Sequence, residues 1–161
     1  MMKRKLSKGF SLVEILLASS IILIFVVGLV TAHNAYIRAA ISSAQTARAL
    51  YLAEEGLEVM RFLRDQSWDQ NIAPLNVNTD YYITFDDITW KTTTTNIYID
   101  SLFERKIRLF SINRNVSGSI VESGGTVDPD SVRVTTSVSW LKNGATTTKS
   151  LSTYLTNFMT E

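Results

Sequence analysis

The residue whose type and position most demand a chemical partner is Glu14. It is the only ionisable group in the 22 residues from Phe10 to Thr31, a run of otherwise apolar and small side chains. A charge at the centre of a bilayer costs roughly 2.5 to 3.5 kcal/mol, and somewhat less near an end. A carboxylate held there is therefore a candidate functional group that needs a compensating cation or donor. Other chemistries find fewer residues. The chain has no cysteine, which excludes a disulfide framework, a thiolate zinc site and a cysteine nucleophile. His33 is the one histidine, so a multi-histidine metal cage is excluded, and its place at the end of the apolar run suits a solvated imidazole. Asp86-Asp87 and Asp128-Pro129-Asp130-Ser131 could offer oxygens to calcium. A hard cation needs six to eight of them, however, and neither cluster has EF-hand spacing, so turn chemistry is the better reading. The sequence contains no glycine-rich phosphate loop and no nucleophile elbow. It is read as having no enzyme site, no cofactor and no metal.

The elements that must position Glu14 follow from charge and hydropathy. Lys3, Arg4, Lys5 and Lys8 all precede the apolar run. A helix of its length spans about 33 Å, enough to cross a bilayer. The upstream charges place the N-terminus on the cytoplasmic side and everything after Ala32 outside. A cleaved secretory signal ending at Val30-Thr31-Ala32 is an alternative, but the run exceeds the usual apolar core of a signal and contains Glu14. From Asn34 to about Trp68 there is no proline, and Ile37, Ala40, Ala44, Ala47, Leu50, Ala53, Leu57, Met60 and Leu63 recur at three or four residues. This predicts one amphipathic stripe continuing the helix. Gly56 lies inside it and marks either close packing of the sheet, the favoured reading, or a slight bend. Glu58 with Arg61, and Arg61 with Asp65, have the spacing of weak surface ion pairs.

After Asn71 the texture becomes β-branched and polar. Tyr81 to Phe85, Ile97 to Ile99, Lys106 to Ile112 and Val116 to Val121 are strand candidates. The clearest is Val132 to Trp140, where Val132, Val134, Thr136, Val138 and Trp140 alternate with polar residues. Asn143-Gly144 is a hairpin signal, and Leu151, Thr153 and Leu155 form one face of the returning strand. The threonine-rich stretches Lys91 to Thr95 and Ala145 to Lys149 could be glycosylated or adhesive surfaces, and exposed strand edges or loops explain them equally well. Asn115-Val116-Ser117 fits a glycosylation sequon, a pattern too short to mean much alone. The expected fold is α+β: a long N-terminal helix, half transmembrane and half amphipathic, packed on a C-terminal antiparallel β-sheet. Trp68, Trp90, Trp140, Phe85, Phe110 and Tyr154 are the bulkiest core candidates. Lys+Arg number 16 against 15 Asp+Glu, with no basic excess that would point to nucleic acid.

The stretch "KGFSLVEILLASSIILIF" resembles the N-terminus of type IV pilins and of the pseudopilins of secretion and competence systems. The resemblance implies a prepilin cut by a prepilin peptidase between Gly9 and Phe10, N-methylation of Phe10, and an assembly role for Glu14 at the fifth mature position. The new amine of Phe10 would lie one helical turn from Glu14. Pairing within a subunit and pairing with the amine of an adjacent subunit are both open. Residues 1–9 would be the leader, 10–32 the transmembrane and filament-core helix, 33–68 its amphipathic extension, and 69–161 the sheet domain. "ALYLAEEGLEVMRFLRD" and "SVSWLKNGATTTKSLSTYLTNF" also resemble minor pilins. The implied partners are the peptidase, other pilin subunits, the cytoplasmic membrane and an assembly platform. The implied location is the inner membrane before assembly and a surface or periplasmic filament after it. The alternative is a single-pass, membrane-anchored binding module that does not polymerise.

Overall fold

The computed structural model describes residues 9–142 and 144–158. The basic leader residues 1–8 and Asn143 of the expected turn lie outside the described residues. The chain divides into two compact units, one ending at Ser43 and one starting at Ala44. A single helix, α1, runs from Leu12 to Gln66 and contributes to both. Its composition accounts for its length: it contains no proline and only two glycines, Gly28 and Gly56.

Beyond α1, Ser67 caps a four-residue helix, α2 (Trp68–Asn71), by accepting the Gln70 amide at 3.3 Å. Seven strands follow: β1 (Asp80–Phe85), β2 (Trp90–Thr93), β3 (Tyr98–Ile99), β4 (Phe103–Arg114), β5 (Ile120–Val121), β6 (Thr126–Lys142) and β7 (Ala145–Thr156). They form one sheet in the order β2-β1-β4-β6-β7, with β3 and β5 paired to the two ends of β4, and every pairing is antiparallel. The fold is therefore α+β, with the helix packed on an antiparallel sheet. The alternation from Val132 to Trp140 is observed, with Val134, Thr136, Val138 and Trp140 buried. The returning strand buries Leu155 and half-buries Leu151 and Thr153 on the same face. Gly144, at φ +80°, supplies the left-handed backbone of the tight connection between β6 and β7.

The sheet holds α1 through two apolar clusters. One joins Leu57, Val59, Met60 and Leu63 of the helix to Ile107, Leu109, Val134 and Leu155 of the sheet, closed by Trp68 and Ile72. The other joins Ala49, Leu52 and Ala53 to Phe103, Val138 and Trp140. Among the residues between them are Gly56, Arg105 and Thr136. A Cβ placed on Gly56 would lie 2.7 Å from Thr136 Cγ2 and 3.3 Å from Arg105 Cδ, so only glycine lets the sheet approach this closely. Arg105 is buried, and its guanidinium donates to the Leu52 carbonyl at 3.3 Å and to Glu55 Oε2 at 2.5 Å. Burial pulls its pKa below the usual arginine value, and the Glu55 carboxylate opposes that pull. Thr136 Oγ1 is buried with no hydrogen-bond partner among the described residues.

Several expectations need correction. The apolar line along the helix is not one stripe. Ala44, Ala47, Leu50 and Ala53 are three residues apart, and each step of three falls about 60° short of a full turn. Three such steps swing the line by about 180°. Ala44 and Ala47 are accordingly exposed, with Ile37 and Ala40, whereas the sheet buries Ala49, Leu52 and Val59 in addition to Ala53, Leu57, Met60 and Leu63. Among the aromatic candidates Trp68 and Trp140 are buried, Trp90 is partly buried against the core, and Phe103 fills the place expected of others. Phe110 and Tyr154 alternate onto the opposite face of their strands, so Tyr154 is half exposed and Phe110 lies outside both apolar clusters. Phe85, by contrast, shares the parity of Tyr81 and Ile83 but is the last residue of β1, where it is half exposed against the Trp90 ring at 5.3 Å. Of Val116 to Val121 only β5 is strand. Asn115 Oδ1 accepts the amides of Ser117 and Ser119 and folds the rest into a turn.

The far end of β4 is tied to β6 by Arg114, which donates to Asp128 Oδ2 at 2.5 Å, the Gly118 carbonyl at 2.8 Å and Ser131 Oγ at 3.2 Å. The hydrogen bond from Arg114 holds the Asp128 carboxyl below its ordinary 3.8. A depressed carboxylate pKa contributes stability that is present above the unfolded value and lost as pH falls through the folded one. Asp128→Asn will therefore flatten the fall in melting temperature below about pH 4, measured by circular dichroism of the full chain in micelles; an unchanged slope would contradict the ion pair. At the helix–sheet seam, Gly56→Ala will cost about 1 to 3 kcal/mol by overpacking. Adding Thr136→Ala will restore part of the loss, giving a non-additive double-mutant cycle. Thr136→Val alone, which removes the unpaired hydroxyl at nearly constant shape, will raise stability by about 1 kcal/mol.

Candidate functional site

The candidate site is built on the first turn of α1. Gly9, Phe10 and Ser11 precede the helix, and the Ser11 carbonyl accepts the first helical hydrogen bond from the Ile15 amide at 3.2 Å. Glu14 lies in the first turn. There the free amide hydrogens and aligned peptide dipoles of a helix start favour a negative charge. Ser11 and Glu14 also have the S-x-x-E spacing of a helix N-terminus, a signal that the sequence reading passed over. The order of groups is fixed by the covalent chain: a glycine with no side chain, an aromatic residue, a serine, and a carboxylate four residues after the aromatic.

On both sides of Glu14 the segment offers an apolar surface that this chain leaves bare. Phe10 is 80 % exposed, Ile24 75 % and Phe25 69 %, and the whole apolar window is uncovered. The polar residues within it are satisfied by the helix itself. Ser19 Oγ and Ser20 Oγ both donate to the Leu16 carbonyl, at 2.9 and 2.8 Å, and Thr31 Oγ1 donates to the Val27 carbonyl at 2.8 Å. Hydroxyls bonded to their own helix can enter lipid or an apolar bundle without a stranded donor. A Cβ on Gly28 would meet nothing within 4 Å, so no contact in this chain requires the glycine. The segment is long and apolar enough to cross a membrane. Glu14, exposed on this surface, is the group whose charge such an environment leaves to be matched.

The other candidate groups are engaged in turns. Asp86 Oδ1 accepts the Ile88 and Thr89 amides at 3.3 and 2.9 Å, and its second oxygen pairs with Lys91. The bond from Lys91 and those amides lower its pKa to about 2. Asp87 turns the chain at φ +67°. Asp128 is spent on Arg114, and its Oδ1 accepts the Asp130 amide at 3.0 Å. Among the described residues no group of three or more His, Asp or Glu side chains converges on a metal position. Asn115 of the sequon bonds Ser117 Oγ at 2.7 Å inside an exposed turn. Lys91 to Thr93 form part of the edge strand β2, and Ala145 to Lys149 open the edge strand β7.

Comparison with known proteins bears on the same segment. Residues 4–30 match the family model described as the prokaryotic N-terminal methylation motif. No curated protein and no solved structure matches the chain. The matched residues include Gly9, Phe10 and Glu14 and extend through most of the bare apolar surface. The motif implies processing by a prepilin peptidase and assembly with other pilins, and with the apolar helix it fits membrane anchoring. The chain thus carries the N-terminal methylation motif that is the signature of type IV pilins and prepilins.

Proposed function

We propose that the protein is a structural subunit of a type IV pilus or a related secretion or competence pseudopilus, of the minor kind. It is made as a prepilin with the leader on the cytoplasmic side and the sheet unit outside. The observation that carries this reading is the coincidence of the methylation motif at residues 4–30 with a helix surface left bare by its own chain. A soluble protein rarely exposes a contiguous apolar patch of this extent, and such a surface is covered first by lipid and then by other helices.

The residues have distinct roles in this reading. Gly9 presents its carbonyl to the peptidase, which needs a residue without a side chain so that the backbone can approach closely. Cleavage of the Gly9–Phe10 bond creates an α-amine on Phe10, the position then N-methylated. It also removes Lys3, Arg4, Lys5 and Lys8 from the neighbourhood of Glu14. Glu14 gains its cation only at that moment, from the Phe10 amine of an adjacent subunit. Two charges that are each costly in an apolar core compensate one another there, and the energy of that pair is available only in the filament. The helices bundle in the core and the sheet units form the outside. The work of the protein is assembly, with no catalytic step.

Co-expression with a prepilin peptidase, followed by mass measurement of the chain, tests this. The expected product begins at Phe10 and carries one added methyl group; an uncut chain, or one cut after Ala32, contradicts the reading. Replacing Gly9 with a bulkier residue will block the cut. Glu14→Ala will leave the cut intact but lower recovery of the subunit in sheared filaments about tenfold or more, the effect of losing about 1.4 kcal/mol or more of pairing. Undiminished recovery would remove Glu14 from assembly.

A further inference from the structure

The sheet face turned away from α1 is mostly self-satisfied. Arg108 pairs with Asp80 at 2.5 Å and Lys106 with Glu104 at 3.2 Å. Across β6 and β7, Thr135 bonds Ser152, Ser137 bonds Ser150 and Ser139 bonds Thr148, at 2.8 to 2.9 Å. These hydroxyls spend capacity on one another. The pattern breaks at one end of the face. There Phe110, Arg133 and Tyr154 stand in register on β4, β6 and β7. Arg133 lies over the Phe110 ring at 4.8 Å, and it enters no ion pair among the described residues. Tyr154 is 50 % exposed.

Next to this row the register of β4 shifts between Ser111 and Asn113, and β5 pairs with the end of the strand. Bulges of this kind re-aim side chains and open space beside a sheet. The result is a concavity of about 510 Å³ lined by residues that include Ser111, Asn113, Glu122, Arg133 and Tyr154. Glu122 likewise enters no ion pair among the described residues, although it borders the same space as Arg133. One cation and one anion thus share a cavity without neutralising each other, beside a neutral amide, a hydroxyl and an exposed aromatic ring.

We infer that this concavity is a binding site for a neutral carbohydrate. A sugar presents neighbouring hydroxyls that each need both a donor and an acceptor, and one C–H face that is apolar. Arg133 offers planar paired donors held in place by Phe110, Glu122 offers paired acceptors, and Asn113 and Ser111 supply both functions. Tyr154 is an amphipathic platform for the C–H face. The volume lies within the range of small-ligand pockets. Because Arg133 and Glu122 line the same space, a net charge of either sign on a glycan is attracted by one and opposed by the other, whereas neutral hydroxyls use both, and this selects the neutral class. This goes beyond the assembly reading and does not depend on it, since every lining residue belongs to the unit from Ala44 onward.

The test uses the full chain in lipid nanodiscs on immobilised neutral oligosaccharides ending in galactose, glucose, mannose or N-acetylhexosamine, with sulfated and carboxylated counterparts alongside. Saturable binding to at least one neutral glycan is expected, weakened about tenfold or more by Tyr154→Ala and by Arg133→Ala. Thr148→Ala, on the same face but in the self-paired rows, should bind as the parent does. Glu122→Gln, expected to weaken binding about tenfold, gives the same reading if an Arg133 variant fails to fold. Binding to no neutral glycan, binding only to acidic ones, or unchanged affinity in the Tyr154 and Glu122 variants would overturn the assignment. An equal loss in Thr148→Ala would also overturn it, moving recognition to the hydroxyl rows.

Discussion

The constraint on which the rest of the molecule depends is the apolar surface from Phe10 to Val30 that its own chain does not cover. At about 25 cal/mol per Å² of apolar area, a surface of this kind cannot remain in water. It must be in lipid or against other helices, and the same residues must tolerate both. The helix suits that requirement because its backbone is hydrogen-bonded internally and its serines and Thr31 bond their own turns. Glu14 is the one group that distinguishes the two environments. In the proposed reading, lipid offers its charge no partner from another subunit, whereas an assembled bundle would offer the amine that cleavage would make. In this account the carboxylate is the reason that assembly is favoured over staying in the membrane.

The unit from Ala44 onward answers a different need, which is to grip the last part of α1 firmly. Two apolar clusters do this, and the seam between them is the tightest place in the unit. Gly56 gives up helix propensity of about 1 kcal/mol so that Thr136 and Arg105 of the sheet can close on the helix. Arg105 then ties the sheet to the helix through the Leu52 carbonyl and Glu55, and so is compensated although buried. With no cysteine to staple it, this unit relies on packing and on ties such as that of Arg114. The hydroxyl pairs and ion pairs of the outer face leave one end free for contact with other molecules.

The parts of the molecule governed by local rules were legible in the sequence. The apolar run, the α+β class, the alternation of β6 and the close packing at Gly56 all follow from spacing of two or from helical periodicity. The methylation motif was legible because its residues are contiguous. Features set by tertiary partners were not. The turn from one side of the helix to the other between Ala44 and Ala53 is written in the three-residue steps, but only the sheet decides where burial begins. Phe110 and Tyr154 look like core residues by type and are placed outside by strand alternation, and Phe85 is left half exposed because β1 ends at it. The burial of Arg105 has no signal, since nothing near it in sequence announces Glu55 as its partner. The concavity beside Arg133 depends on a bulge at Ser111 and on the short strand β5, neither of which a single sequence specifies.

The central claim is that other protein helices cover the bare surface of α1. Placing a photocrosslinking amino acid at Leu23, which is 64 % exposed in the isolated chain, measures this directly in sheared surface fractions. The account predicts covalent adducts between this chain and a pilin-sized subunit, absent from the membrane fraction of cells without an assembly system. Adducts to lipid alone, with none to protein in any surface fraction, would contradict it.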